Sequence, residues 1–141
     1  MFRHYFCLLV IYALTSCSGD IASSKYATLQ DAKSHGFMAK GWLPDFLPTT
    51  TINIKAANNL DLNTSTGAFE FHSNDFPLFA SKLHAHQPSK SPFDSLEAKI
   101  KDKIADEYFI GEYNENETTW VFLCSKARNS CEYTMWATRH G

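Results

Sequence analysis

The strongest constraint on the fold is a pair of alternating apolar and polar segments near the end of the chain, each bounded by a cysteine. Residues 118–124 and 131–138 are rich in β-branched and aromatic side chains, so each predicts a strand. In one antiparallel register, three pairs share a face: Cys124 with Cys131, Phe122 with Tyr133 and Trp120 with Met135. A single register therefore predicts both a disulfide and one continuous apolar face.

The first residues predict export rather than a folded element. Arg3 precedes ten uncharged residues, 5–14, which as a helix span about 15 Å, half of a bilayer's hydrocarbon core. This length is typical of the apolar region of a secretory signal, which we place at residues 1–16. Residues 14–17, Leu-Thr-Ser-Cys, then resemble a bacterial lipobox, in which the cysteine thiol is acylated and the signal is cut before it.

We therefore expect Cys17 to be the lipidated first residue of the mature protein, with residues 17–25 as a short flexible tether. An ordinary signal cut near Ser16 or Ser18, which leaves a soluble secreted protein, is the alternative. Since Ser18 rather than an acidic residue follows the cysteine, the expected address in a bacterium with two membranes is the outer membrane, facing the periplasm. The membrane is then the first expected partner, contacted through the lipid anchor.

The remaining residues, 26–141, predict a single domain, because a chain of this size builds one hydrophobic core. The chain carries 13 Lys and Arg against 15 Asp and Glu without a basic stripe, so nucleic acid is not an expected partner. Aromatic residues make up 14% of the chain, more than is typical of a disordered protein.

Two of the four cysteines are expected to pair. With Cys7 in the signal and Cys17 lipidated, an even pair remains in an oxidising compartment. Cys124 and Cys131 are therefore predicted to form a disulfide. A metal site or a redox-active pair is a weaker alternative, since there is neither a second cysteine pair nor a C-x-x-C spacing.

Helical and strand patterns alternate along the rest of the chain. Helices are predicted at residues 26–37, with Thr28 as N-cap, at 75–84, with Asn74 as cap, and along the stripe Phe93, Leu96, Ile100 and Ile104. Strands are predicted at residues 50–56 and 67–72, joined by a turn at 58–67, and at 107–113. This order predicts an α+β fold, a single small domain in which an antiparallel sheet with a C-terminal disulfide-linked hairpin packs with two or three helices.

Residues 41–48 read Gly-Trp-Leu-Pro-Asp-Phe-Leu-Pro, a segment with two prolines four residues apart. The prolines exclude a regular helix interior and a central strand, although the segment carries several large apolar side chains. We interpret Trp42, Phe46 and Leu47 as a candidate partner-binding surface. A packed structural loop is the alternative interpretation.

This segment also carries a resemblance. Together with Ile54, the turn Asn59-Leu60-Asp61-Leu62-Asn63 and Phe69-Glu70-Phe71, it resembles a group of short exported bacterial proteins and lipoproteins of the YbbD-head type. The resemblance covers residues 26–71, less than half of the mature chain. It implies no catalytic residue, because we associate no activity with the group.

Two polar clusters are candidates for metal binding. His84 and His86 share a face only on a strand, and a transition-metal site needs three or four ligands. Residues 58–63 are rich in Asn and Asp but lack the full calcium-loop series and its later glutamate. Exposed histidines and a turn stabilised by its own side chains are the simpler interpretations, so we predict no metal and no cofactor.

The sequence contains no Gly-x-Ser-x-Gly motif and no other activated nucleophile, so we predict no catalytic residue. The favoured hypothesis is a non-catalytic, membrane-anchored envelope lipoprotein that binds another envelope protein. An envelope immunity or inhibitor protein is one alternative, and a small metal-binding or hydrolytic protein is another.

Overall fold

The computed structural model describes residues 20–88 and 91–138. The strands are β1 (Ile21–Thr28), β2 (Ile52–Asn59), β3 (Thr64–Glu70), β4 (Phe109–Glu115), β5 (Thr118–Ser125) and β6 (Ser130–Ala137). The helices are α1 (Leu29–Ser34), α2 (Phe76–Ala80), which follows a 3-10 turn at Ser73–Asp75, and α3 (Asp94–Ala105).

All six strands form one antiparallel sheet in the order β1-β2-β3-β6-β5-β4. The sheet consists of two hairpin-based halves, β1 to β3 and β4 to β6, which join where β3 pairs with β6. The predicted fold class is confirmed: the chain forms a single small α+β domain with an antiparallel sheet, about three helices and a disulfide in its C-terminal hairpin.

The C-terminal hairpin has the register that its cysteines predict. Cys124 lies directly opposite Cys131, and the two sulfur atoms are bonded. The expected neighbours are also opposite each other, Phe122 with Tyr133 and Trp120 with Met135. The predicted disulfide and the predicted apolar face are therefore both confirmed, and both belong to the larger of two buried clusters.

The two faces of the sheet are covered differently. On one face, α1, the chain between α1 and β2, and α2 cover a core that includes Ile54, Phe69, Phe79 and Phe122. On the other face, α3 packs only over β4, β5 and β6, where a smaller cluster forms from Leu96, Ile100, Val121, Leu123 and Trp136. The part of this second face that belongs to β1, β2 and β3 has no helix over it among the described residues.

The N-terminal part of the prediction needs correction. Residues 21–25, expected to be flexible tether, and residues 26–28, expected to be helical, form β1. The helix starts at Leu29, and Thr28 caps it as predicted, accepting a hydrogen bond from the backbone N–H of Asp31 at 3.1 Å. The free edge of β2 offers a ladder of backbone partners to β1, and this pairing outweighs the local composition of the segment. The predicted signal and Cys17 lie outside the described residues.

Two other predicted elements are shorter in the structure than the sequence indicated. The helix predicted at residues 75–84 is α2, which ends at Ala80, because the backbone of His84 pairs instead with Glu112 of β4. Asn74 does not cap it; its own N–H donates to the His72 ring. The predicted turn at residues 58–67 shrinks to the four residues between β2 and β3.

Two predicted apolar stripes are also shorter than expected. Asn53 has a positive φ of 52°, at an irregularity in the pairing of β2 with β3. Ile54 is therefore buried while Ile52 is exposed. On α3, Leu96 and Ile100 are buried as expected, but Ile104 is exposed in the last turn.

Candidate functional site

The segment with two prolines is mostly inside the protein. Trp42 and Leu47, two of the three candidate partner-binding residues, are buried, with 8% and 4% of their surface exposed. The carbonyl of Trp42 accepts a hydrogen bond of 3.0 Å from the indole N–H of Trp120 on β5. Neither side chain is placed to contact a partner, so both act as parts of the core.

Phe46, the third candidate, is half-buried. Its ring packs against Phe79 and Tyr113, with ring centroids 5.9 and 4.6 Å away. The three candidate residues therefore do not form an exposed aromatic surface. The alternative interpretation, a packed structural loop, agrees better with this burial. The prolines keep the segment irregular, and its apolar side chains belong to the larger of the two buried clusters.

A buried polar network joins the linker before α3 to the sheet. The Nδ1 atom of His86 lies 2.9 Å from Oε2 of Glu112, and its Nε2 atom lies 2.7 Å from Oε1 of Glu97. The side chains of His86 and Glu112 are 6% and 1% exposed. With both carboxylates ionised, the imidazolium form of His86 donates one N–H to each of them.

Glu112 has further hydrogen bonds that explain why its charge tolerates burial. Burial alone raises the pKa of this carboxyl, but hydrogen bonds from the Gln87 backbone, the Asn114 amide and His86 outweigh it and lower the pKa. The N–H of Gln87 donates to Oε2 at 3.1 Å, and the amide of Asn114 donates to Oε1 at 3.1 Å. Both carboxylate oxygens are thus occupied by donors from the protein itself.

The same network determines the hydrogen-bond partners of His84 and His86. The ring of His84 faces Asn114, with Nε2 2.7 Å from the amide nitrogen, whereas both ring nitrogens of His86 face carboxylates. Across residues 20–88 and 91–138 there is no group of three His, Cys, Asp or Glu arranged to hold a metal ion. The arrangement can fasten the linker to β4 and α3; it presents no nucleophile.

The Asn-rich turn between β2 and β3 uses its own side-chain oxygens. Asn58 is buried, and its Oδ1 accepts from the hydroxyl of Ser65 at 2.6 Å. Oδ1 of Asn59 accepts from the backbone N–H of Leu62 at 3.0 Å. These are the contacts of a turn stabilised by its own side chains, the simpler of the two interpretations of this cluster.

A second candidate surface is the uncovered part of the second sheet face, which we call the open face. It is formed by β1, β2 and β3 beside α3. Three shallow hollows of about 410, 430 and 450 Å³ adjoin there and share lining residues. The floor consists mainly of small side chains, namely Ser23, Ala57, Thr66 and Ala68.

The open face carries two lysines, Lys25 and Lys55, together with the carboxylate of Glu70. Lys25 of β1 and Lys55 of β2 are directly opposite each other, and both are exposed. Like charges at directly opposite positions repel and destabilise the pairing. Among the described residues neither ammonium has an ion pair, whereas Lys99 and Lys103 at the border of the face are paired with Glu132 at 3.3 and 3.0 Å.

The sequence pointed to His86 but not to its carboxylate partners, and it did not point to the open face. Ile110 and Glu112 are two residues apart, so a strand there places a carboxylate on the same face as an apolar residue. A carboxylate at an inward position needs a partner, and that was the available signal for the network. Nothing comparable pointed to Lys25, because residues 17–25 were expected to be tether.

Comparison with known proteins confirms the resemblance. The family model of the YbbD head domain matches residues 20–70, which span β1 to β3 and the segment with two prolines. The match thus covers one half of the sheet and does not reach the hairpin that carries the disulfide. No curated protein and no solved structure is significantly similar to the chain. None of the helices within the described residues has the length and apolar character needed to cross a membrane.

Proposed function

We propose that this chain is a lipid-anchored protein of the bacterial cell envelope that binds another envelope protein and does not catalyse a reaction. The observation that carries the proposal is the disulfide between Cys124 and Cys131. Disulfides persist in oxidising compartments, and the export signal in residues 1–16 leads to such a compartment. The lipobox at residues 14–17 then supplies the anchor.

The open face is the surface that best fits a protein partner. It combines small side chains, which allow close approach, with the two directly opposed lysines. An acidic partner segment relieves the repulsion between Lys25 and Lys55 and pairs both charges at once. We therefore assign an acidic, extended protein segment as the ligand of this face.

Intact-mass analysis of membrane-extracted protein tests the anchor. The expected mass is that of a chain that starts at Cys17 and carries acyl groups. It should be lower than the mass of the reduced chain by two hydrogens, because Cys124 and Cys131 are bonded to each other. Cys17→Ala abolishes the acylated form, whereas the matched control Cys7→Ala, in the segment that is removed, leaves the mature mass unchanged. A protein that begins at Met1, is found in the cytosol and keeps reduced thiols contradicts the proposal.

NMR titration with a glutamate-rich extended peptide tests the ligand. We expect chemical-shift changes confined to β1, β2 and β3 that weaken as salt is added. The double variant Lys25→Glu and Lys55→Glu loses them. The control Lys40→Glu and Lys82→Glu makes the same charge change at exposed positions outside the open face and retains them. Equal shifts in both variants, or no shifts in the unmodified protein, rule out this ligand.

A further inference from the structure

Three large aliphatic side chains are exposed at one end of the sheet. Ile21, Leu60 and Leu62 are 62%, 55% and 57% exposed, and we call them the aliphatic tip. Ile21 is the first residue of β1, and the other two lie in the turn between β2 and β3. Ile21 and Leu62 line the same hollow, and Leu60 belongs to the same turn as Leu62.

Hydrogen bonds hold the tip together next to the point where the chain enters the sheet. Ile21 lies directly opposite Asn59. The backbone N–H of Leu60 donates to the carbonyl of Asp20 at 3.1 Å, and that of Leu62 donates to Oδ1 of Asn59 at 3.0 Å. The tip is therefore an ordered surface, and its apolar side chains face outward although the core is available to residues only a few positions away.

Chain length fixes how far this tip can be from the lipid anchor. Only Ser18 and Gly19 separate Cys17 from Asp20. A fully extended chain advances at most about 3.6 Å per residue, so the Cα atoms of Cys17 and Asp20 are at most about 11 Å apart. With acyl chains on Cys17 inserted in a bilayer, the start of β1 is confined to the immediate neighbourhood of the lipid headgroups.

We propose that the aliphatic tip contacts the membrane surface and that Ile21, Leu60 and Leu62 lie in the headgroup layer beside the anchor. This inference rests on the lipidation of Cys17 in the proposed function. Asp20 and Asp61 flank the tip and are exposed, which restricts the contact to a shallow depth and favours zwitterionic over anionic lipids.

The contact sets the orientation of the domain. The strands run away from the tip, so docking of the tip stands the sheet on the membrane with its strands directed outward. The open face then looks along the membrane plane, where a neighbouring envelope protein can reach it. A second point of attachment restricts the tumbling that a lipid tether alone permits.

Photo-crosslinking from single positions tests this contact in the full acylated protein. The protein is reconstituted into vesicles of phosphatidylethanolamine with a minor share of phosphatidylglycerol. The photoreactive amino acid p-benzoyl-phenylalanine replaces Leu60 or Leu62, or, as the matched control, Leu78. Leu78 is 69% exposed but lies on α2, at the other end of the sheet. Mass spectrometry then identifies the adducts.

We expect phospholipid adducts from positions 60 and 62 and none from position 78. The adduct yield should not increase when the share of phosphatidylglycerol rises. The same spectra report whether Cys17 is acylated. Acylated protein without lipid adducts at positions 60 and 62, or with adducts to a second copy of the chain instead, overturns the membrane contact and leaves the anchor intact. Absence of the acyl mass overturns the anchor, and the tip proposal with it.

Discussion

The imidazole of His86 lies 2.9 Å from the carboxylate of Glu112, and both side chains are buried. Glu112 belongs to β4, whereas His86 belongs to the linker that leads towards α3, so the contact joins parts of the chain that are 26 residues apart. Glu97 of α3 holds the other side of the ring at 2.7 Å. The position of α3 on the sheet thus depends on a polar network as well as on its apolar stripe.

Replacing this histidine should destabilise the fold strongly. His86 is a hydrogen-bond partner of the buried Glu112 carboxylate, and removing such a partner typically costs about 1–3 kcal/mol, more when the remaining group is charged. We expect His86→Leu to lower the free energy of unfolding by about 3 kcal/mol and not more, since Gln87 and Asn114 still bond Glu112. Urea unfolding measures the change. His84→Ala, at the neighbouring exposed histidine, should cost less than about 1 kcal/mol; equal losses contradict this role of His86.

The stability of the protein should fall in acid partly through Glu112. Its pKa in the folded protein is below the ordinary value of 4.5. The ionised group therefore contributes stability above pH 4.5, and this contribution is lost as the pH falls through the folded-state pKa. We expect Glu112→Gln to be less stable at neutral pH and to show a shallower loss below pH 4.5. Urea midpoints across this range measure it, with Glu115→Gln, an exposed carboxyl of the same strand, as control.

Removal of the disulfide should destabilise the C-terminal hairpin. Cys124 and Cys131 close a loop with a sequence separation of 7. The chain-entropy model gives about 2.5 kcal/mol for a loop of this size. We expect Cys124→Ala with Cys131→Ala to lower the free energy of unfolding by about this amount. Reductant should reproduce the loss in the unmodified protein and have no effect on the double variant; a double variant of unchanged stability contradicts the prediction.

The stability of variants in the segment with two prolines should reflect how deeply each of its side chains is buried. Truncating a buried tryptophan typically costs about 3–5 kcal/mol, so we expect Trp42→Ala to be severely destabilising. Phe46→Ala should cost about half as much, because its ring is only half-buried. Thermal unfolding of the two variants gives the comparison. A Trp42→Ala protein of unchanged stability contradicts a core role for this side chain.

Gly67 on β3 should not accept a side chain. A Cβ atom there would collide with the backbone oxygen of Lys55 and lie 2.7 Å from the Tyr133 ring. Since a strand backbone cannot move aside as a side chain can, we expect Gly67→Ala to cost about 3 kcal/mol, the upper end for overpacking. Gly111→Ala meets only side chains, those of Leu83 and Phe109, and should cost less. Denaturant unfolding of both variants tests the order.

The C-terminal half of the sheet could be predicted because two independent signals agreed there. The cysteine pair and the apolar alternation selected the same register, and neither depends on distant parts of the chain. The same holds for α1, where Thr28 stops one element and caps the next through a contact three residues away.

The remaining features depend on contacts that local patterns do not encode. β1 exists because β2 has a free edge, although Ala22, Ser23 and Ser24 give it no apolar alternation. α2 ends early because the backbone of His84 pairs with that of Glu112 in β4, which is distant in the sequence. The burial of Trp42 follows from the way its segment folds over the sheet, which prolines permit but do not specify.

The isolated pairing of His84 with Glu112 also bears on aggregation. The two residues exchange backbone hydrogen bonds of 2.9 and 2.8 Å, so this position on the outer side of β4 is already occupied. The opposite border strand, β1, carries the exposed charge of Lys25, which disfavours the addition of a foreign strand. The bridge on one border and the charge on the other both disfavour the edge-to-edge stacking that leads to amyloid.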